Sequence, residues 1–211
     1  MKNNLQILIL AVTIFSLSLQ SCSESSEDIF GTDLMELEDN GLTASINNLV
    51  PDSILQKIQE LDMPIHTGNN PPILNGKYFS SPLTLVASNI STDYLGQSFL
   101  DITWDFYNQD ISNLTINVDY ESTIDRAVGR GSFIVGDAGY FSIFVDAEGE
   151  WQNGDKSKLV YIFSGRLEGE DIYDLHIAFF MLDNFGNPNG NWIENGQGRV
   201  VIDADFITEK I

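Results

Sequence analysis

The sequence is short of several things. One cysteine in 211 residues leaves no intramolecular disulfide and no multi-cysteine metal site. Two histidines are little material for a histidine-rich zinc centre. Basic side chains are scarce: 10 Lys+Arg stand against 31 Asp+Glu, a formal net charge of -21. Nucleic acid is therefore excluded as a partner, because a phosphate backbone must be met by Lys and Arg. Cofactor signatures are missing too. Gly129-Arg130-Gly131 has no helix behind it to make a phosphate loop. Residues 183–194 have the Asn/Gly flavour of a calcium loop, but no frame sets the ligands at the right spacing. What is present suits a globular chain, with 43% hydrophobic and 11% aromatic residues, enough to bury a core.

The amino terminus has a positive start, Met1-Lys2-Asn3-Asn4, followed by an apolar run from Leu5 to Leu19. A spanning helix wants about 20 apolar residues, so this run reads as the core of a signal peptide. It ends in Leu19-Gln20-Ser21-Cys22, which resembles the bacterial lipoprotein signal: an apolar residue at -3, a small one at -1, and an obligatory cysteine. That resemblance implies cleavage after residue 21 and acylation of Cys22, with several acyl chains giving a stable outer-membrane anchor. Residues 22–46 then read as an acidic tether, with Glu24, Glu27, Asp28, Asp33, Glu36, Glu38 and Asp39 and no basic residue before Lys57. Like charges keep such a segment extended. Ser23-Glu24-Ser25-Ser26-Glu27-Asp28 resembles the acidic stretch of surface-exposed lipoproteins of the Bacteroidota. The anchored domain is expected to face the cell surface or the periplasm.

One helix is expected across 53–62, where Ile54, Leu55, Ile58 and Leu61 make a stripe. Pro51 suits its start, and Ser53 with Gln56 reads as a capping box. Residues 47–72 form this helix and a Pro-rich connection. The stretch from Met63 to Tyr78, and Glu194-Asn195-Gly196-Gln197-Gly198-Arg199-Val200, resemble patterns in uncharacterised Bacteroides-type lipoproteins. That family implies no activity.

From residue 73 to 211 the period changes to 2. Leu100, Ile102, Trp104 and Phe106 alternate with acids and threonines, and Leu114, Ile116, Val118 and Tyr120 do the same. Eight strands are expected, near 77–88, 97–108, 114–122, 128–136, 140–146, 157–167, 171–183 and 197–206. They predict an all-β domain, an antiparallel up-and-down barrel or sandwich. A three-residue loop at 168–170 would pair Phe163 with Leu175, Tyr161 with Ile177 and Leu159 with Phe179, keeping all six on one face. The other face of 171–183 holds Ala178, Phe180 and Leu182, and the helix stripe is expected to cover it.

Connections in a meander alternate between two ends. The long ones, near 89–96, 147–156 and 184–196, share one end, and both termini of the domain lie at the other. The long loops carry Tyr94, Trp151, Trp192 and Asn191, with Asn153, Asp155, Asn187 and Asn189. Function tends to sit on long loops held by a rigid scaffold. Aromatic rings beside amides suit a neutral glycan or a small apolar ligand, and Trp151 and Trp192 are expected to approach each other. The expected role is a non-catalytic binding module. The alternatives are a structural subunit of an outer-membrane complex and a hydrolase built on two carboxylates. Asp174 with His176 is a weaker acid–base pair. The acids Asp101, Asp105, Asp119 and Glu121 read as a solvated face, and no metal site is expected.

Overall fold

The computed structural model describes residues 35–211. The expected signal peptide, Cys22 and the first part of the tether lie outside the described residues.

The end of the expected tether is folded. Thr43 caps helix α1 (Ala44–Leu49), its hydroxyl accepting from the Ile46 N–H at 3.2 Å, as an N-cap threonine does. Ile46 and Val50, one turn apart, are fully buried. Helix α2 (Asp52–Glu60) follows, with Pro51 at its N-cap position and no side-chain cap. The expected capping box does not form. Ser53 lies inside the first turn, and Gln56 reaches forward to Glu60 at 2.7 Å instead. Two short helices thus stand where one was expected.

Eleven antiparallel strands follow: β1 (Gly76–Ser80), β2 (Leu83–Ser88), β3 (Ser98–Phe99), β4 (Ile102–Asp110), β5 (Thr115–Glu121), β6 (Asp125–Asp137), β7 (Tyr140–Trp151), β8 (Lys156–Glu168), β9 (Asp171–Asp183), β10 (Gly198–Asp203) and β11 (Ile207–Lys210). They cover the eight expected runs, the first as β1 and β2, the second as β3 and β4, and the last as β10, which β11 continues beyond the expected end at 206. The loop expected at 147–156 is shorter, because β7 runs on to Trp151 and β8 starts at Lys156. Gly76 to Ser80 pair with Phe106 to Ile102, and Leu83 then pairs with Phe99 in the same register. The last run returns to the first, β10 on β2 and β11 on β1. The pairings therefore run round into a ring, which leaves few open strand edges.

The interruptions line up. Pro82, which cannot donate to a ladder, accepts from the Ala204 N–H at 3.0 Å, and Phe206 accepts from the Asp174 N–H at 3.0 Å. Asp174 and Phe206 have φ of 53° and 65°. A crease crosses four neighbouring strands here, at residues 174, 204–206, 81–82 and 100–101.

The crease explains the β8–β9 register. Glu168 pairs with Asp171, leaving a two-residue turn with Gly169 at φ 64°. A bulge near Asp174 then absorbs one residue, so Phe163 pairs with Ile177, Tyr161 with Phe179 and Leu159 with Met181. The expected face is right and the expected register is two residues off. Ile172 and Leu175 both point inward across the bulge. The bulge also re-aims Asp174: His176 Nδ1 meets the Asp174 backbone carbonyl at 2.9 Å rather than its carboxylate, and the weaker candidate acid–base pair is not made.

Two cores result. Inside the ring lie Tyr78, Trp104, Phe106, Phe141, Ile143 and Phe163, all at most 1% exposed. Outside it, Val135, Phe144, Ile162, Ala178 and Phe180 are covered by Ile46, Val50, Ile54 and Ile58 of the helix segment. Each Val, Ile or Phe among them contributes roughly 1.5–3 kcal/mol on burial. Leu114, expected on the inner face, has φ 50° and joins the outer core.

Candidate functional site

The half of the ring between the crease and the long loops encloses a cavity of about 470 Å³, within the usual size range of small-molecule sites. Its walls come from β2 to β10 and the loops between them. Leu83, Phe99 and Val201 line one side above the crease; Tyr120, Leu159 and Tyr161 line the other; Trp104 forms part of the floor. Ile177, Phe179 and Met181 of β9 complete the lining. These side chains alternate inward exactly as the core below does, so the sequence pattern alone does not separate cavity from core.

Trp151 and Trp192 stand at the mouth. Their rings meet edge to face at 5.3 Å and 85°, a favoured aromatic geometry. Trp151 ends β7 and pairs with Asp125 across the sheet. Trp192 belongs to the 184–197 loop. Asn187 fixes it from both sides: its side chain accepts from the Trp192 N–H at 3.0 Å and donates to the Trp192 carbonyl at 2.7 Å. Gly149 lies beneath it, and a Cβ there would touch Trp192 Cη2 at an ordinary 3.5 Å but crowd Ser157 Oγ at 2.4 Å. The Trp192 indole nitrogen is buried without a hydrogen-bond partner among the described residues.

Asn191 also lines the cavity, with its Nδ2 turned to Asp155. Asp155, 9% exposed, accepts from Asn191 Nδ2 at 2.7 Å and from Asn189 Nδ2 at 2.8 Å. These charge-assisted bonds tie the 152–155 loop to the 184–197 loop. Tyr94 lies elsewhere: it is 68% exposed and does not line the cavity. Its loop contributes instead through Asp93, which grips Arg199.

Two polar features border the apolar walls. Arg199 donates to Asp93 through Nε at 2.7 Å and Nη2 at 2.9 Å, and its guanidinium lies 5.2 Å from the Phe99 ring and 6.0 Å from that of Phe179. The hydrogen-bonded Arg199 holds the Asp93 carboxyl below its usual range, against the opposing effect of burial. At the far corner, Tyr161 donates to Tyr120 at 3.1 Å and Tyr120 donates to Asp125 Oδ2 at 2.6 Å. Ser122 donates to the other carboxylate oxygen. Burial pushes both phenols well above their ordinary range, and the Asp125 charge adds to it.

Among the described residues, Asp125 is the one carboxylate lining this cavity. The two facing carboxyls that glycoside hydrolysis needs are not brought together here. Sequence reasoning missed Phe99, Arg199 and Asp125. Ser122-x-x-Asp125, a turn made of a hydroxyl and a carboxylate three residues apart, was the available signal for the last. No protein family, no curated protein and no solved structure matches the chain.

Proposed function

We propose that this chain is a cell-envelope lipoprotein, anchored through Cys22, that binds a small apolar molecule without transforming it. The observation that carries the binding reading is the aromatic-walled cavity of about 470 Å³ at the long-loop end. Of the two expected ligand classes, the apolar one is favoured by the commitments of the loop amides. Asn191 is the single amide among the lining residues, and it gives an Nδ2–H to Asp155, as Asn189 does, so few amide groups are left to orient sugar hydroxyls. The apolar walls give affinity by removing ligand surface from water, and the mouth tryptophans cover the ligand. The acidic chain, at -21, repels anionic competitors. The anchor reading rests on the sequence around Cys22, and the position of the cavity at the end away from the domain's termini suits a ligand arriving from outside the membrane.

The test is a titration with Nile red, a neutral apolar dye whose emission rises in dry surroundings. One dye should bind per chain. Ile177→Trp, which fills the cavity from its β9 wall, should abolish binding while the chain keeps a cooperative melt. Undiminished dye binding in that variant refutes the cavity as the site.

A further inference from the structure

The corner of the cavity at Asp125 specifies the head group of the ligand, an inference that rests on the binding reading above. Hydrogen-bond accounting decides it. A tyrosine or serine hydroxyl has one proton to give. The Tyr161 proton goes to Tyr120, the Tyr120 proton to Asp125, and the Ser122 proton to Asp125. All three are consumed in the direction of the carboxylate. What the corner still offers is acceptors: the free lone pairs of Asp125 and of the Tyr161 oxygen. An incoming carboxylate or phosphate finds no hydroxyl proton there and meets a like charge.

The charge accounting agrees. Among the described residues, Arg199 is the one cationic side chain lining the cavity, and Asp93 already neutralises it through two hydrogen bonds. Asp125 has no basic partner within ion-pair distance among the described residues. The neighbouring Arg126 is engaged with Glu150 at 3.0 Å on the exterior. The cavity therefore carries one uncompensated negative charge, set beside aromatic rings: Trp151 is paired with Asp125 across the sheet, and Tyr120 and Tyr161 lie next to each other at 5.4 Å. A carboxylate beside aromatic rings in an apolar-walled cavity is an arrangement that attracts ammonium groups.

We propose that the cavity takes an apolar amine in its protonated form, with the ammonium at Asp125 and the apolar body against Trp104, Phe179 and Trp192. Asp125 is the specificity-determining residue. The mouth tryptophans and the β9 wall set how large an apolar body is accepted, and the head group is chosen by Asp125 alone.

Three probes that share one body separate this inference from the one beneath it: 4-phenylbutylamine, 4-phenylbutanol and 4-phenylbutyrate, titrated calorimetrically into the full-length chain at pH 7. The amine should bind about tenfold more tightly than the alcohol, as one charge-assisted hydrogen bond warrants, and the carboxylate weakest. Asp125→Asn should remove the amine's advantage and leave the alcohol within about twofold, a retained affinity that also shows the cavity intact. Ser122→Ala, which keeps the carboxylate, should keep the order of the three. Equal binding of amine and alcohol by the unaltered chain, or tightest binding of the carboxylate, overturns the head-group assignment while leaving an apolar site. Binding of none of the three overturns the apolar site itself. If Asp125→Asn binds neither amine nor alcohol, the order measured on the unaltered chain and on Ser122→Ala decides.

Discussion

Arg199 holds Asp93 by two parallel hydrogen bonds, Nε to Oδ2 at 2.7 Å and Nη2 to Oδ1 at 2.9 Å, and so pins the 89–97 loop to β10. The pair is sheltered, with side-chain exposures of 18% and 5%. Removing one partner of a sheltered pair strands the other charge. Asp93→Ala should cost roughly 2–4 kcal/mol, and adding Arg199→Met should restore part of it. Denaturation of the single and double variants checks this. The Asp93 carboxyl is held below its usual range, so its contribution is present at neutral pH and is lost as pH falls through that lowered value. Amide exchange in the 89–97 loop should quicken in Asp93→Ala.

Trp104 is 1% exposed, packs against Tyr120, Tyr161 and Phe163, and donates to Ser80 Oγ at 3.1 Å. Trp104→Ala should cost roughly 3–5 kcal/mol and leave the Ser80 hydroxyl with poorer company. Because Trp104 also belongs to the cavity floor, this variant should change ligand affinity as well. A melting midpoint equal to that of the unaltered chain contradicts the packing described.

Asp203 is 1% exposed. Its Oδ2 accepts from Thr208 at 2.9 Å, while Oδ1 has no partner. Burial raises its pKa to about 6, from an ordinary 3.8. The folded chain thus binds the proton more tightly than the unfolded one. The stability this supplies is complete below the ordinary value and is lost as pH rises toward 6. Asp203→Asn should stabilise the chain at pH 8 by roughly 1–3 kcal/mol and flatten the decline between pH 4 and 6. Melts at both ends of that window measure it.

Cys22 is the only thiol in the chain. Cys22→Ser should move the protein from the membrane fraction to the soluble one. Fatty-acid labelling that survives the substitution contradicts the anchor.

Much of the ring was legible because alternation is a strong signal when one face is buried. Trp104 with Phe106, and Ile116 with Val118 and Tyr120, point inward as the pattern required. The β8–β9 register was not legible, because Ile172 and Leu175 are three apart and periodicity has no symbol for a bulge. Helix α1 was hidden by the acids at 36, 38 and 39, although Leu42, Ile46 and Val50 already repeat every four residues. At the mouth, the meeting of Trp151 and Trp192 followed from counting loops. Tyr94 was misplaced by the same count, which locates a loop at one end but not the side from which its residues face. The hollow itself was invisible: Tyr161 and Phe163 obey one pattern, and only their three-dimensional surroundings separate a cavity wall from a packed core.

The crease divides the molecule into two parts that answer to different demands. Below it, Tyr78, Phe106, Phe141 and Ile143 fill the ring; above it, the same strands stand apart around open space. Packing tolerates little change in side-chain volume, whereas a cavity wall is free to grow or shrink. A lineage carrying this fold can therefore alter what it binds by exchanging Leu83, Phe99, Phe179 or Val201 and leave its foundation untouched. Variation among relatives should gather above residues 81–82 and 204–206, and thin out beneath them.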